Sequence, residues 1–363
     1  MNKHHYCIIM AGGVGVRFWP ISTTNRPKQF IDILGTGETL IQMTYKRFEK
    51  IIPSENIYVV TNTRYRELVQ EQLPMLDESQ ILCEPARRNT APCIAYASFK
   101  IHKKDPEANL VVAPSDHVIL QEENFLRVIS SALKASASNG HLLTLGIKPN
   151  RPDTGYGYIQ FKEEVPFPEN PRIRRVKTFT EKPALEMAKS FLSSGDFLWN
   201  SGIFIWKANS IIEAFDKYLP EVSTVFREGD ESYNTSEEDA FISKAYSVCT
   251  NISIDYGVME KADNVLVFMA DFGWSDLGTW GSLYEHTPQT AERNAVIGGK
   301  VQLYDSHDCI VHLPKEKIAV VQKLDGYIVV EENNMLLICR KEDEQHIRHY
   351  VNEVREKNGE QFV

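Results

Sequence analysis

Between residues 6 and 145 the chain keeps one rhythm. Short apolar runs of strand length, at 6–10, 57–61, 81–83, 110–113 and 142–145, alternate with amphipathic stretches of helix length at 40–51, 64–73, 91–104 and 124–138. Strands separated by helices cannot close as tight hairpins, so they pair in parallel and the helices cover the sheet. The expected class is α/β: a Rossmann-like mixed, mostly parallel sheet flanked by helices, with ligands gathered at the carboxyl ends of its strands.

After "RPDTGYGYIQF" the rhythm lengthens, with strand-like runs at 173–180, 202–206 and 265–270 set among helices. This stretch reads as a second part of the same body, holding the other half of a site. From residue 295 short apolar runs recur at 296–297, 309–311, 318–321, 327–330 and 336–338, punctuated by Asp325–Gly326 and Asn333–Asn334. They predict a small all-β module. The closing "EDEQHIRHYVNEVREK" spaces Ile347, Val351 and Val354 as an amphipathic helix. Its His346 and His349 read as a solvated face rather than a metal pair. Two domains are expected: residues 1–290, and a β-rich module at 291–363 ending in that helix.

A net charge of −9 argues against nucleic acid as the main partner, because binding a phosphate backbone needs a basic face. A small phosphorylated ligand is still open, since a few basic side chains can act locally. The six cysteines (Cys7, Cys83, Cys93, Cys249, Cys309 and Cys339) include no C-x-x-C pair, so free thiols are expected rather than a zinc site or a disulfide framework. The apolar stretch in "MNKHHYCIIMAGG" is too short for a signal peptide or a spanning helix, which predicts a cytoplasmic protein with no membrane partner.

The first strand runs straight into "AGGVGVRFWP". No lysine follows these glycines where a P-loop needs one, and the third glycine of a dinucleotide fingerprint is replaced by Phe18. The physics of the turn holds regardless. Just after Ala11, the missing Cβ atoms of Gly12, Gly13 and Gly15 let backbone N–H groups approach an anionic or planar ligand. Arg17 offers a planar fork to phosphate oxygens, and Lys28 in "RPKQF" adds a compact ammonium. Asp116 in "VVAPSDH" stands at the carboxyl end of a strand, and Asp276 stands in "FGWSDLGTW". Either could merely form a turn; the functional reading has both on one Mg²⁺, with Mn²⁺ as the alternative oxygen-loving ion.

The stretch "MAGGVGVRFWPISTTNRPKQF" closely resembles the signature of sugar-nucleotide pyrophosphorylases, in particular the mannose-1-phosphate guanylyltransferases. The resemblance implies a nucleotide-diphospho-sugar transferase fold followed by a short left-handed β-helix. It implies that the glycine loop wraps a nucleoside triphosphate, that Arg17 and Lys28 neutralise its phosphates, and that Asp116 and Asp276 hold the metal. Four further stretches match in order: "TGYGYI" with Gly157, "FTEKP" with Glu181 and Lys182, "WNSGIFIW" with Asn200, and "SIDYGVMEK" with Asp255. By resemblance these bind the sugar, with Lys182 holding its 1-phosphate. "CEPARRNTAPCIAYA" matches the region that meets the base. There Glu84 could accept from guanine N1–H and N2–H₂, while Arg88, Asn89 and Thr90 hold the loop or contact the nucleotide.

The implied reaction joins GTP and α-D-mannose 1-phosphate into GDP-mannose and pyrophosphate, with Arg17, Lys28, Asp116 and Lys182 as the catalytic set. Alternatives are a guanylyltransferase for another sugar 1-phosphate, such as fucose or a heptose, a non-catalytic regulatory subunit that binds nucleotide sugar, and a dehydrogenase. Some members of the family add an isomerase domain. The span after His286 is short for one, so a single activity is expected. Exposed strand edges in the β-rich tail suit a homodimer.

Overall fold

The computed structural model describes residues 1–15, 17–137 and 140–363. Ser138, where the fourth expected helix ends, lies outside them. Contacts divide the chain into two compact units: Met1–Gly12, Thr44–Ser115 and Ile119–Trp274 form one, and Gly13–Met43, Asp116–Val118 and Ser275–Val363 form the other.

The first unit begins with the alternating segment, which gives β1 (His5–Met10), β2 (Ile57–Asn62), β3 (Ile81–Glu84) and β4 (Asn109–Pro114). The next strands are a short β5 (Val118–Ile119), then β6 (Leu142–Ile147), β7 (Tyr158–Phe161), β8 (Ile173–Thr180), β9 (Phe197–Lys207) and β10 (Val265–Ala270). Apart from β5 these make one nine-stranded sheet in the order β3-β2-β1-β4-β9-β6-β10-β8-β7. The quartet β3-β2-β1-β4 is parallel throughout, with Cys7 opposite Ile57 and Val111 on either side and Val59 opposite Ile81. The order reverses between β1 and β4, the point in such sheets where the strand ends part and a ligand can enter.

β9 enters antiparallel to both β4 and β6, while β10 returns parallel to β6. The sheet is therefore mixed, its antiparallel pairs lying in the half where the sequence rhythm lengthens. Cys7, Ile8 and Ile9 have no exposed surface, so β1 needs cover on both faces. One cover is the helix Thr90–Lys104, buried from Ala91 to Ile101. Its small residues Ala91, Ala95 and Ala97 let it pack closely in a core that also holds Phe204 and Trp206, stacked at 5.3 Å. The second half of the glycine-rich "TGYGYIQF" pairs with β8 and β9 as β7. No helix among the described residues is long and apolar enough to cross a membrane.

After β11 (Trp274–Ser275), the second unit carries β12 (Ala295–Tyr304), β13 (Ile310–Gln322), β14 (Tyr327–Glu332) and β15 (Met335–Arg340), ordered as numbered. β12–β13 and β13–β14 are parallel although no helix separates them, which is a coil-like solenoid step rather than a hairpin; β14–β15 is a true antiparallel hairpin. The runs expected separately at 309–311 and 318–321 fuse into β13, because β12 and β13 bend together across Gly298–Lys300 and pair on both sides of the bend. The terminal helix runs Ile347–Asn358 and buries Ile347 and Val351. The Trp19 indole Nε1–H donates to the Phe362 carbonyl at 2.7 Å, tying the last residues to the segment after the glycine turn.

The bend of β12 depends on Gly298. Its φ is +86°, and a Cβ there would lie 1.9 Å from the Leu313 carbonyl oxygen. Gly298→Ala is expected to cost this unit roughly 3 kcal/mol, strain and clash together. Gly195→Ala, at a helix C-terminus with φ +79° and nothing within 4 Å, should cost only about 1 kcal/mol. Denaturant midpoints of the two variants check the difference; equal losses would refute the close-approach argument.

Candidate active site

Within the second unit, the "RPKQF", "PSDH" and "WSDLGTW" segments meet at one side chain. Lys28 is buried, and its ammonium lies 2.9 Å from Asp116 Oδ2 while donating to the carbonyls of Asp276 at 2.7 Å and Leu277 at 3.0 Å. An ammonium has three hydrogens, and three protein oxygens surround this one. Leu277 holds φ +46° with its side chain fully buried, and its N–H bonds Ser275 Oγ at 3.1 Å. That strained turn aims two successive carbonyls at Lys28. Phe18 packs edge-on against Trp280 at 5.1 Å, so an aromatic pair fixes the glycine-turn segment and the Trp280 loop together.

These segments enclose a cavity of about 220 Å³ that Gly15, Arg17, Lys28, Asp116, Asp276 and Arg348 help to line. Burial pushes the Asp116 carboxyl up, but the charges of Lys28 and His117 outweigh it and hold the group below its ordinary range. Asp276 Oδ1 accepts from the Gly278 N–H at 3.1 Å, so its carboxylate is fixed by its own turn. Arg17 reaches the Gly278 carbonyl at 3.4 Å, and its Nε is buried without a partner. Gly13 accepts from Gln29 Nε2 at 3.0 Å, which braces the turn. The expected metal and phosphate residues of this unit therefore share one cavity. Arg348 joins them from the terminal helix; nothing in its spacing distinguishes it from Arg355 of the same helix, which pairs with Glu360.

In the first unit Ala11 is buried, its N–H bonded to the Val60 carbonyl at 2.7 Å. Next to it, a Cβ on Gly12 would lie 3.1 Å from Glu84 Oε2. Glu84 is buried, and its Oε1 accepts from the Tyr246 hydroxyl at 2.9 Å. Burial raises its pKa to about 7, against the lowering pull of Tyr246 and Arg87. Asn89 and Thr90 have local jobs. Asn89, at φ +66°, caps the helix Thr90–Lys104 by accepting from the Thr90 N–H, and Thr90 Oγ1 accepts from the Ile254 N–H at 2.9 Å. Arg88 Nε donates to the Tyr246 carbonyl at 3.0 Å. All three hold loops, one of them the loop that carries Asp255.

The five residues expected around a sugar converge in the same unit. Asn200 Nδ2 donates to Asp255 Oδ1 at 2.9 Å, and Asn200 Oδ1 accepts from Thr144 Oγ1 at 3.0 Å and from the Gly202 N–H at 3.3 Å. The amide is thus oriented from behind by Thr144, a residue the motifs did not single out. A Cβ on Gly157 would lie 2.4 Å from Glu181 Oε2, so a side chain there would push that carboxylate from its position. Lys182 sits at φ +46° and pairs with Glu181 at 2.6 Å, its side chain 63% exposed against 11% for Glu181. Burial first, and the Glu181 charge second, raise the Asp255 pKa to about 7. The cluster thus presents one exposed ammonium, one charged carboxylate and one carboxyl that holds a proton near neutrality.

A larger cavity of about 760 Å³ lies elsewhere in this unit; the buried pair Lys100–Glu238 at 2.5 Å lines it together with Cys83 and Tyr96 from the "CEPARRNTAPCIAYA" stretch. His346 and His349 pair with Asp343 and Glu353 on the exposed helix face. The six cysteines are free thiols.

Glu84 and Asp255 both keep protons that an unfolded chain releases near pH 4. The folded state therefore binds more protons between about pH 4 and pH 7, and their contribution to stability declines as pH rises through that window. Glu84→Gln keeps the acceptor for Tyr246 and removes the ionisation. It should gain on the order of 2 kcal/mol over the wild type at pH 8 and almost nothing at pH 4.5. Thermal or urea unfolding at both pH values measures this, and a constant difference would contradict it.

The sequence model of the nucleotidyl transferase family matches residues 6–293. A mannose-1-phosphate guanylyltransferase of Salmonella montevideo is 37% identical over 366 residues, covering 98% of this chain and 75% of the relative. The alginate biosynthesis protein AlgA of Pseudomonas aeruginosa is 34% identical over 350 residues, covering 96% of this chain and 71% of the relative. Among solved structures, one described as a mannose-1-phosphate geranyltransferase from Thermus thermophilus superposes with a TM-score of 0.87 at 28% identity, over 97% of this chain and 99% of that one. The motifs from the glycine turn to "WSDLGTW" are those of an enzyme family, and this chain belongs to it: it is a nucleotidyl transferase.

Proposed function

We propose that this chain makes GDP-mannose and pyrophosphate from GTP and α-D-mannose 1-phosphate, with residues 1–290 as its catalytic part and the cytoplasm as its place of work. The observation that carries the reading is the gathering of Arg17, Lys28, Asp116 and Asp276 on one cavity. Cations and paired carboxylates there suit a polyphosphate and its counter-ion. The guanylyltransferase name of the Salmonella relative, over nearly the whole chain, supports the choice of substrates.

The two aspartates fit a hard divalent ion: both are oxygen donors, and Asp116 is held ionised beside Lys28. A bound Mg²⁺, or Mn²⁺ on the same donors, would supply charge neutralisation at the phosphoryl oxygens. The remaining work falls to the chain itself. Backbone N–H groups from Gly12 to Gly15 receive the nucleotide phosphates, and Arg17 spends its unpartnered Nε–H on them. Lys28 acts through position: its three contacts hold Asp116 and the Asp276 turn in place, and it meets phosphate only by releasing one of them. Glu84 Oε2 accepts from guanine. Glu181, Asn200 and Asp255 take the sugar hydroxyls at Gly157, and Lys182 holds the sugar's phosphate. An oxygen of that phosphate attacks the α-phosphorus in line, the bond to the β-phosphate oxygen breaks, and pyrophosphate leaves with the bonding electrons. No side-chain nucleophile is required.

Pyrophosphate release should be seen with GTP and mannose 1-phosphate, and far less with other sugar 1-phosphates or with ATP, UTP and CTP. Release with fucose or a heptose phosphate instead would keep the mechanism and change the substrate. Asp116→Asn should lower turnover about 100- to 1,000-fold in folded protein, and near-normal turnover would remove Asp116 from the metal site. Because ionised Glu84 accepts from guanine more strongly than its protonated form, wild-type affinity for GTP should rise from about pH 6 to about pH 8. In Glu84→Gln that rise should vanish and the preference for GTP over ATP should shrink; an unchanged preference would remove Glu84 from base selection.

A further inference from the structure

Arg17, Lys28 and Arg348 all face the 220 Å³ cavity of the second unit, yet they are not equally satisfied. Lys28 is matched by Asp116 at 2.9 Å. Among the described residues, the Arg17 side chain has only the Gly278 carbonyl, and the side chain of Arg348, an exposed residue, has neither an ion pair nor a hydrogen bond. The two guanidinium groups also feel each other. The charge of Arg17, and then burial, hold Arg348 below the ordinary arginine value, and Arg17 Nε is buried with no acceptor. Like charges and an unmet buried donor both work against folding. An anionic ligand with several oxygens would satisfy both.

The helix Ile347–Asn358 fixes where Arg348 stands, since Ile347 and Val351 on either side of it are buried in the core that holds Phe18 and Trp280. The arginine is therefore presented from a rigid element next to the glycine turn's own anchor.

We propose that Arg348 is a polyphosphate-binding residue of the nucleotide site, closing on the phosphates as the second guanidinium beside Arg17. The inference rests on the proposed reading of that cavity. Two planar forks can each take a pair of non-bridging oxygens, a geometry a lysine cannot supply. The C-terminal segment, which looks in sequence like an appended module, then contributes directly to substrate binding.

The test titrates inorganic pyrophosphate, and separately GTP, each with Mg²⁺, into wild type, Arg348→Ala and Arg348→Lys by calorimetry. The unliganded melting temperatures are measured alongside. Arg348→Ala should bind both ligands about 10- to 100-fold more weakly. Arg348→Lys should recover only part of that loss, and in turnover assays Arg348→Ala should raise the KM for GTP while leaving that for mannose 1-phosphate unchanged. Relief of the repulsion with Arg17 should leave the unliganded melting temperature equal or higher, whereas an arginine with a purely structural role would lower it. Wild-type affinity retained in Arg348→Ala overturns the inference and leaves the proposed function standing. Failure of the wild type to bind either ligand overturns both.

Discussion

The second unit turns on one buried ammonium. Lys28 spends all three hydrogens on protein oxygens, under two kinds of constraint: a carboxylate at the end of a strand, and two carbonyls of a turn that a fully buried leucine holds in left-handed backbone. A desolvated lysine is tolerable only with such a cage, and a cage of that shape exists only if the three segments stop at fixed places. The aspartates at 116 and 276 are thereby brought to one cavity by a contact that is not itself with substrate.

Environment then separates carboxyl groups that look alike in sequence. Asp116 keeps its charge because cations outweigh its desolvation, while Glu84 and Asp255 are buried with too little positive charge and rise to about 7. Asp255 is raised further by Glu181, whose own oxygen occupies the space a side chain at Gly157 would fill. One chain thus carries both a dedicated anion and carboxyls that can hold a proton near neutrality.

Part of the backbone strain falls where the motifs are. Asn89, Lys182 and Leu277 are not glycines, yet all three have positive φ, and each lies inside a stretch singled out for its chemistry. The surrounding hydrogen bonds hold them there: Asn89 by its cap on Thr90, Lys182 by its N–H to the Tyr156 carbonyl, and Leu277 by Ser275. Thr90, read from sequence as holding its loop or contacting the nucleotide, fastens the loop before Asp255. Such a residue influences the site through the backbone it holds.

The sequence alone determined the alternating sheet, the strand ends that carry Ala11–Gly12 and Asp116, and the order of the motifs from "TGYGYI" to "SIDYGVMEK", because period, turn chemistry and motif order are local properties. It did not show that Lys28 is caged, that β12 and β13 bend in step at Gly298, that Thr144 orients Asn200, or that Arg348 faces the cavity lined by Asp116 and Asp276. Each of these pairs residues far apart in the chain, so no local pattern encodes it. Tertiary structure decided them, because a charge's partners, its solvation and the space beside it exist only once the segments have packed.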